Sequence, residues 1–246
     1  MTDQVQYKIL ELDVEVFGNT SRIHPVLIWD EAEATLIDGG YPGVFGQLKQ
    51  AVAEAGVAFE QVKRVIITHH DWDHMGVLPD ILRFNGQIQI CAHAAEQPYI
   101  EGVLPPLKLT PASITARIQQ LPENMRAQAA ETFANLPKAP VSRLLADNEL
   151  LPIHGGIRVI HTPGHSPGHI CLYAGACRLL VVGDQLRVND GILVGPAPEY
   201  TPDMPLALLS MAKLRGFDID KVVCYHGGAY GDDAAARIAR LGAEKI

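Results

Sequence analysis

Two short stretches of this 246-residue chain hold six of its ten histidines, and both lie beside apolar runs. The first stretch, residues 68–74, reads THHDWDH, with three histidines and two aspartates. The second, residues 161–169, reads HTPGHSPGH, so that proline and glycine restrict the backbone around the central histidine. Carboxylates crowded at the end of a strand repel one another unless a cation lies among them. These residue types in this arrangement predict a site for divalent metal ions.

Two further strand ends carry the same kinds of side chain. Asp184 follows the apolar residues LLVVG, and His226 follows VVCY. In all four places a predicted strand is followed at its C-terminal end by His or Asp. Because binding residues are commonly held at the ends of rigid strands, we expect these side chains to meet in one site.

The elements that must position these residues alternate between strands and helices. Apolar and β-branched runs predict strands within residues 6–18, 24–40, 62–70, 87–93, 156–165, 169–175, 177–184 and 221–228. Helices are predicted at residues 42–56, 75–84, 205–214 and 232–241. Two strand-rich halves, each with helices, predict an α/β protein in which two sheets form a sandwich with helices outside.

Residues 102–140 differ from the rest, because they hold six prolines and two helical patterns. Thr110 is placed to cap the first helix, with Pro111 in its first turn. Apolar faces are predicted on both helices, formed by Ile114, Ile118 and Leu121 and by Met125, Ala129, Phe133 and Leu136. Linkers lack such faces, so we interpret the segment as a helical insertion that lies over the site.

Composition excludes several classes of protein. The net charge is −8 and no basic face stands out, which argues against binding to nucleic acid. No apolar run is long enough to span a bilayer, and the first residues lack the basic region of a secretory signal. The four cysteines lack CxxC spacing and are expected to be reduced. We therefore expect a cytoplasmic protein that binds a small-molecule substrate but neither nucleic acid nor a membrane. The sequence leaves open whether the protein forms a homodimer.

The order and spacing of these residues resemble the metallo-β-lactamase superfamily, whose motif H-x-H-x-D-H is followed by a distant His, a distant Asp and a last His. The resemblance spans nearly the whole chain. It implies a four-layer αβ/βα sandwich in a single domain over residues 1–246, and two divalent metal ions bridged by Asp184. Asp38, in the sequence LIDGG, resembles the early aspartate of the family, which lies near the site. The other ligands that the resemblance implies are His69, residue 71 and His165 for one ion, and Asp73, His74 and His226 for the other.

Position 71 departs from the family motif, because it is Asp71 where the motif has His. His70 is not a simple replacement, since neighbouring side chains at a strand end point in different directions. Either Asp71 is a ligand or the first metal site is weakened; we favour ligation, as in branches such as the flavodiiron proteins, which have an acid there. The extra carboxylate should make a bridging water less acidic. Zinc is the expected metal, and iron or manganese becomes plausible because carboxylates suit harder ions.

The chemistry that the resemblance implies is hydrolysis. A divalent metal lowers the pKa of bound water from about 15.7 towards about 7. We expect a metal-bridging hydroxide to attack a small ester, lactone or related substrate, with Asp73 as the catalytic proton acceptor or orienting group. Phosphotriester, phosphodiester, thioester and β-lactam hydrolysis are alternatives that the fold does not separate. A glutathione thioester would call for a basic patch, and no Lys/Arg cluster is visible in the sequence.

Other classes of function stay open beside hydrolysis. The superfamily includes iron-dependent persulfide dioxygenases, so an oxidoreductase of that kind is one alternative. A non-catalytic member is another, although the complete ligand set speaks against it.

Several residues near the motifs are candidates for supporting roles. Arg187, Tyr99 and Tyr230 are candidate substrate contacts. Asp38 and His93 are expected to orient metal ligands through hydrogen bonds, although a surface position for His93 is equally consistent with the sequence.

Overall fold

Two six-stranded sheets form the body of the protein in a computed structural model that describes residues 5–241. The expectation of no secretory signal rests partly on residues 1–4, which lie outside the described residues. Within residues 5–241, no helix is long and apolar enough to cross a membrane. All four cysteines are free thiols, as their spacing predicts.

The first sheet is built from the N-terminal half in the order β1-β4-β5-β6-β7-β8. The strand β4 pairs antiparallel with both β1 and β5, and the strands from β5 to β8 are parallel. The strand bounds in this half, including the separate hairpin β2–β3, are β1 Gln6–Ile9, β2 Leu12–Val16, β3 Asn19–Ile23, β4 Val26–Trp29, β5 Ala34–Ile37, β6 Val62–Ile66, β7 Gln89–His93 and β8 Arg143–Leu145.

The second sheet is built from the C-terminal half in the order β16-β15-β12-β11-β10-β9. Its pairs are antiparallel except for β12 and β15, which run parallel. The hairpin β13–β14, which the sequence did not predict, lies between β12 and β15 in the chain. The strand bounds in this half are β9 Leu150–Leu151, β10 Ile157–His161, β11 Ile170–Ala174, β12 Leu179–Val181, β13 Arg187–Asn189, β14 Ile192–Val194, β15 Lys221–Cys224 and β16 Gly228–Tyr230.

Eight α-helices lie within the described part of the chain. Their bounds are α1 Phe45–Glu54, α2 Trp72–Met75, α3 Leu78–Phe84, α4 Gln97–Ile100, α5 Pro111–Gln120, α6 Glu123–Ala134, α7 Met204–Met211 and α8 Ala234–Leu241. The helix predicted at 75–84 is shorter than expected, because a separate turn of helix, α2, carries Asp73 and His74. The helix predicted at 205–214 ends as a 3₁₀ turn over Ala212–Leu214.

The inner faces of the two sheets pack against each other. Ile28 and Ile66 of the first sheet share one buried cluster with Val159 and Leu172 of the second. Since side chains alternate along a strand, each sheet has a second apolar face directed outward.

Helices cover both outer faces. On the first sheet, Val65 packs in one cluster with Leu48 of α1 and Ile81 of α3. On the second, Val222 packs in another cluster with Ile238 of α8. The order of layers is therefore helix, sheet, sheet, helix, which confirms the predicted αβ/βα sandwich.

Residues 102–140 contain α5 and α6, which pack on each other through a small cluster of their own. Thr110 caps α5, because its hydroxyl oxygen accepts a hydrogen bond from the backbone N–H of Ser113. Ala129 and Phe133 of α6 are buried in the cluster, and Trp72 of the first motif packs against it. The segment thus lies against the motif that carries most of the predicted metal ligands.

Candidate metal centre

The first group of ligand atoms comes from the loops after β6 and β10. The Oδ2 atom of Asp71 lies 3.2 Å from Nε2 of His69 and 3.2 Å from Nε2 of His165. The two imidazole nitrogens are also 3.2 Å apart. Zinc bonds of about 2.0–2.1 Å in a tetrahedral site place neighbouring ligand atoms roughly 3.3 Å apart. The three atoms are therefore spaced as three ligands of a single ion.

The second group comes from α2 and the end of β15. The Oδ2 atom of Asp73 lies 3.2 Å from Nε2 of His226 and 3.7 Å from Nε2 of His74. His74 is fully buried, whereas the side chain of His226 is 38% exposed. The group is thus open to solvent on the side of His226, where a substrate can approach.

Asp184, after β12, lies between the two groups. Its Oδ1 is 3.4 Å from Nε2 of His74, while its Oδ2 is 3.4 Å from Nε2 of His165 and 3.7 Å from Nε2 of His226. Oδ1 thus faces the second group, and Oδ2 lies between His165 of the first group and His226 of the second, so that Asp184 contacts both groups.

Two polar atoms at this centre have no hydrogen-bond partner within the described residues. They are Nε2 of His74 and Oδ1 of Asp184, which are buried and lie 3.4 Å from each other without forming a hydrogen bond. Leaving such atoms unpaired is costly, so natural proteins rarely do so without a functional reason. An ion between them would satisfy both, and the residues present therefore fit a divalent metal.

The histidines are held by hydrogen bonds from their far nitrogens. Nδ1 of His74 lies 2.9 Å from Oδ2 of Asp38, a carboxylate buried beneath the site. Nδ1 of His69 lies 3.0 Å from the hydroxyl of Thr68, which itself donates to Asp38. With Nδ1 bound in this way, Nε2 is directed towards the centre, as in other metal sites. Asp38 thus lies behind the candidate ligand His74, and its role as an orienting group stays a prediction.

The carboxylates of this centre favour the protonated forms of the histidines beside them. Burial lowers the pKa of His74, but the carboxylates of Asp38, Asp184 and Asp73 outweigh burial and raise that pKa well above its usual value. Burial also opposes protonation of His226, and Asp184 again raises the pKa. A divalent ion has to displace these protons, so its binding strengthens as the pH rises.

Glu96, between β7 and α4, is a buried carboxylate that the sequence analysis missed. Its Oε2 accepts hydrogen bonds from the backbone N–H and Nδ1 of His70, a residue flanked by two candidate ligands. Its Oε1 accepts from the hydroxyl of Ser166 at 2.7 Å and from the N–H of Gly168 at 2.6 Å, next to the candidate ligand His165. Glu96 therefore ties together the two loops that carry the first ligand group.

These hydrogen bonds also keep Glu96 ionised. Burial raises its pKa, but the hydrogen bonds from His70, Ser166 and Gly168 outweigh burial and hold the pKa below its usual value. Gly168 is required at this contact, since a Cβ there would lie 2.8 Å from Cγ of Glu96. The signal in the sequence was a carboxylate three residues beyond a predicted strand, the pattern that marked the other sites.

A cavity of about 690 Å³ opens above both ligand groups. Its floor includes Asp71, Asp73, His165, Asp184 and His226. Its wall includes residues of the segment 102–140, namely Pro106, Lys108, Leu109, Arg117, Gln120, Leu121, Phe133, Leu136 and Pro137. The insertion therefore shapes the space in which a substrate would meet the metals.

Two of the three candidate substrate contacts line this cavity. Tyr99 and Arg187 belong to its wall, and the ring of Tyr99 stacks on His70 with centroids 4.4 Å apart. Tyr230 does not line it, because from its place in β16 opposite Val222 the partly buried side chain packs against the cluster that includes Ile238 of α8. The expectation for Tyr230 is thus corrected.

The expectation that His93 orients a metal ligand is also corrected. Its ring stacks on His161, with centroids 4.0 Å apart, and its Nδ1 accepts a hydrogen bond from the N–H of Ala95. The orienting role falls to Thr68 and, through its contact with Nδ1 of His165 at 3.5 Å, to Thr201. Hydroxyls of this kind give no periodic signal in a sequence.

Glu96 generates a prediction about metal binding. Glu96→Gln keeps the shape of the side chain but replaces one acceptor oxygen with a donor that faces other donors. We expect a loss of roughly 1–3 kcal/mol of stability and metal affinity that is about 10- to 100-fold weaker. The measurements are chemical denaturation and titration with zinc.

Glu101→Gln is the matched control, because Glu101 follows α4 and accepts its hydrogen bonds from the side chain of Gln97 and the N–H of Val141, outside the site. It should bind zinc like the wild type. Wild-type affinity in Glu96→Gln would show that Glu96 does not position the ligand loops.

Comparison with known proteins agrees with this geometry. A family model described as the metallo-beta-lactamase superfamily matches residues 20–226. The chain is 30% identical over 206 residues to the "Probable metallo-hydrolase YflN" of Bacillus subtilis (strain 168), covering 78% of this chain and 74% of that protein.

Solved structures give the same answer. A metallo-beta-lactamase family protein from Thermus thermophilus is 25% identical with a TM-score of 0.68, covering 96% of this chain and 78% of that one. A metallo-beta-lactamase superfamily protein from Sulfolobus tokodaii shares the fold alone, at 16% identity and a TM-score of 0.64, covering 100% of this chain and 89% of that one. Together with the His/Asp cluster, these relatives support a metal-dependent hydrolase. The chain belongs to the metallo-β-lactamase superfamily.

Proposed function

We propose that this protein uses two divalent metal ions to hydrolyse a small ester, lactone or related substrate. One ion would be held by His69, Asp71 and His165, the other by Asp73, His74 and His226, with Asp184 shared between them. The observation that carries the proposal is the position of both ligand groups on the floor of one cavity.

The wall of the cavity favours a substrate with an apolar part. Leu109, Leu121, Phe133 and Leu136 of the insertion face the cavity above the ligand groups, as do Trp72 and Tyr41. An acyl chain or lactone substituent could lie against these side chains while the carbonyl group reaches the floor. This arrangement is typical of small-molecule sites, in which an apolar wall surrounds a few polar groups.

Bound divalent ions would supply an acidic water and polarise the substrate oxygen. The side chains of the protein itself would hold the reacting groups in position and accept protons during that reaction. The carboxylate of Asp73 lines the cavity and lies 3.2 Å from Nε2 of His226, so it is placed to accept a proton at the floor. Its backbone carbonyl accepts a hydrogen bond of 2.6 Å from the hydroxyl of Tyr225, which fixes α2 in place.

A second candidate is an activated substrate that carries a carboxylate, such as a thioester or a β-lactam. The cavity wall brings together Lys108, Arg117 and Arg187, which are far apart in the sequence. The Nε atom of Arg187 is buried without a hydrogen-bond partner among the described residues. The sequence suggested no basic patch, and the proposal of a carboxylate-bearing substrate rests on these three cations along one cavity.

The first test combines metal analysis with a substrate screen. Protein purified without added metal should contain close to two divalent ions per chain, and should hydrolyse at least one of a panel of lactones, aryl esters, thioesters, β-lactams and phosphotriesters. Asp184→Ala should lower both the metal content and the rate, the latter by at least roughly 100-fold. Asp218→Asn is the control, because Asp218 pairs with Arg178 at the start of β15, away from the site.

The outcome of this test separates the alternatives. Two metals and full activity in Asp184→Ala would contradict the site. A different set of results would favour a persulfide dioxygenase-like oxidoreductase instead: the protein contains iron, consumes oxygen when a persulfide is added, and hydrolyses none of the substrates.

A second test concerns Asp71, where the chain departs from the family motif. Asp71 starts α2 without capping it through its side chain, so substitution should spare the helix. Asp71→His should lower the apparent pKa of the pH–rate profile and shift metal preference towards zinc, since one negative charge leaves the site. Asp71→Ala should weaken binding of one metal by about tenfold or more.

The measurements are pH–rate profiles and metal content for the wild type and both variants. Asp218→Asn again controls for loss of an aspartate elsewhere. If all four proteins behave alike, Asp71 is not a ligand and its charge does not tune the site.

A further inference from the structure

Lys108 of the insertion reaches into the first ligand group. Its ammonium group contacts Oδ2 of Asp71 and lies 2.6 Å from Nε2 of His165. The side chain of Lys108 is only 11% exposed and that of Asp71 is 19% exposed. Such a shielded ion pair is screened by solvent much less than a surface pair.

The atoms that Lys108 contacts are those that the proposed first ion needs. Oδ2 of Asp71 and Nε2 of His165 are two corners of the 3.2 Å triangle completed by Nε2 of His69. An ammonium group and a metal ion cannot occupy the centre of one triangle together, because both require the same lone pairs. The ammonium group of Lys108 therefore contacts two of the three atoms that would hold the cation.

The backbone around Lys108 is tied to the helices of the insertion. The hydroxyl of Ser113 in α5 donates a hydrogen bond of 2.9 Å to the carbonyl oxygen of Lys108. The next residue, Leu109, is buried with Ala129 and Phe133 of α6. If Lys108 is to leave Asp71 and His165, its side chain must therefore rearrange or the segment that carries it must shift.

We propose that Lys108 competes with the metal ion for the site formed by His69, Asp71 and His165, and so couples occupancy of that site to the position of the insertion. The inference rests on the proposed metal centre. It also accounts for Asp71, since a carboxylate can bind either an ammonium group or a metal ion, whereas a neutral histidine offers the ammonium group no charge.

The coupling acts in both directions, as linkage requires. Binding of an ion expels Lys108 and loosens its segment. Conversely, a ligand that draws Lys108 into the cavity, such as a carboxylate on a substrate, favours binding of the ion. Binding of a ligand at the cavity wall and binding of a metal ion at the floor would then each affect the other.

The test measures metal binding in the wild type, Lys108→Met and Lys138→Met. Lys138 lies in the same insertion but is exposed, so Lys138→Met removes the same charge without emptying the site. Protein stripped with a chelator is titrated with zinc against a chromophoric competitor. We expect Lys108→Met to bind one of its two ions about tenfold or more tightly than the wild type, and Lys138→Met to match the wild type.

Hydrogen exchange provides a second measurement. Zinc should speed exchange of amides around residues 106–113, where Lys108 is released, and should slow exchange in the ligand loops. Faster exchange in this segment on adding zinc should be absent in Lys108→Met.

The possible results keep the two proposals apart. If none of the three proteins binds zinc, the metal centre itself is wrong. If all bind two ions with equal affinities, or if zinc leaves exchange around residues 106–113 unchanged in the wild type, the metal centre stands and competition by Lys108 is overturned.

Discussion

Several features of this molecule depend on carboxylates that are crowded together and largely buried at one site. Asp71 and Asp73, from the segment after β6, converge with Asp184, which follows β12, and none of the three has a side chain more than 19% exposed. Negative charges at such short range are unfavourable unless cations or protons lie among them. The imidazoles, the raised pKa values of His74 and His226, and the contact with Lys108 are all responses to this requirement.

The two-sheet architecture makes this convergence possible. Each ligand loop follows a strand whose inner face is buried against the other sheet, so the loops are fixed by the common core. Buried polar groups then set the orientation of the side chains: Asp38 holds His74, and Glu96 joins the loop after β6 to the loop after β10. The contacts of Glu96 with Ser166 and Gly168 cross from one half of the chain to the other. The site is therefore a property of the assembled fold rather than of either half.

Much of the architecture could be predicted from the sequence, because strands and helices follow from the pattern of neighbouring residues. The buried strands β6 and β12 appear as apolar runs, and the cap formed by Thr110 on α5 follows from residue types alone. The candidate ligands were visible for the same reason, since each comes directly after such a strand. The separate helix α2 was missed, because the pattern of 75–84 runs on from it without a break.

The remaining features depend on contacts between distant residues. Lys108 meets Asp71 across 37 positions, and Glu96 meets Gly168 across 72, so no local pattern reports either contact. For the same reason, the sequence did not predict that Lys108, Arg117 and Arg187 line one cavity. The error for His93 is of the opposite kind, because a local pattern predicted a contact that does not form. A histidine at the end of a strand was expected to orient a metal ligand, yet its ring stacks on His161.

The central claim is that Asp184 joins two metal ions between the two ligand groups. Anomalous scattering from crystals of the zinc-loaded protein tests it most directly. The account predicts two peaks about 3.5–4 Å apart, with one oxygen of Asp184 directed at each and Asp71 beside the peak near His69 and His165. A single peak, or two peaks neither of which touches Asp184, would contradict it.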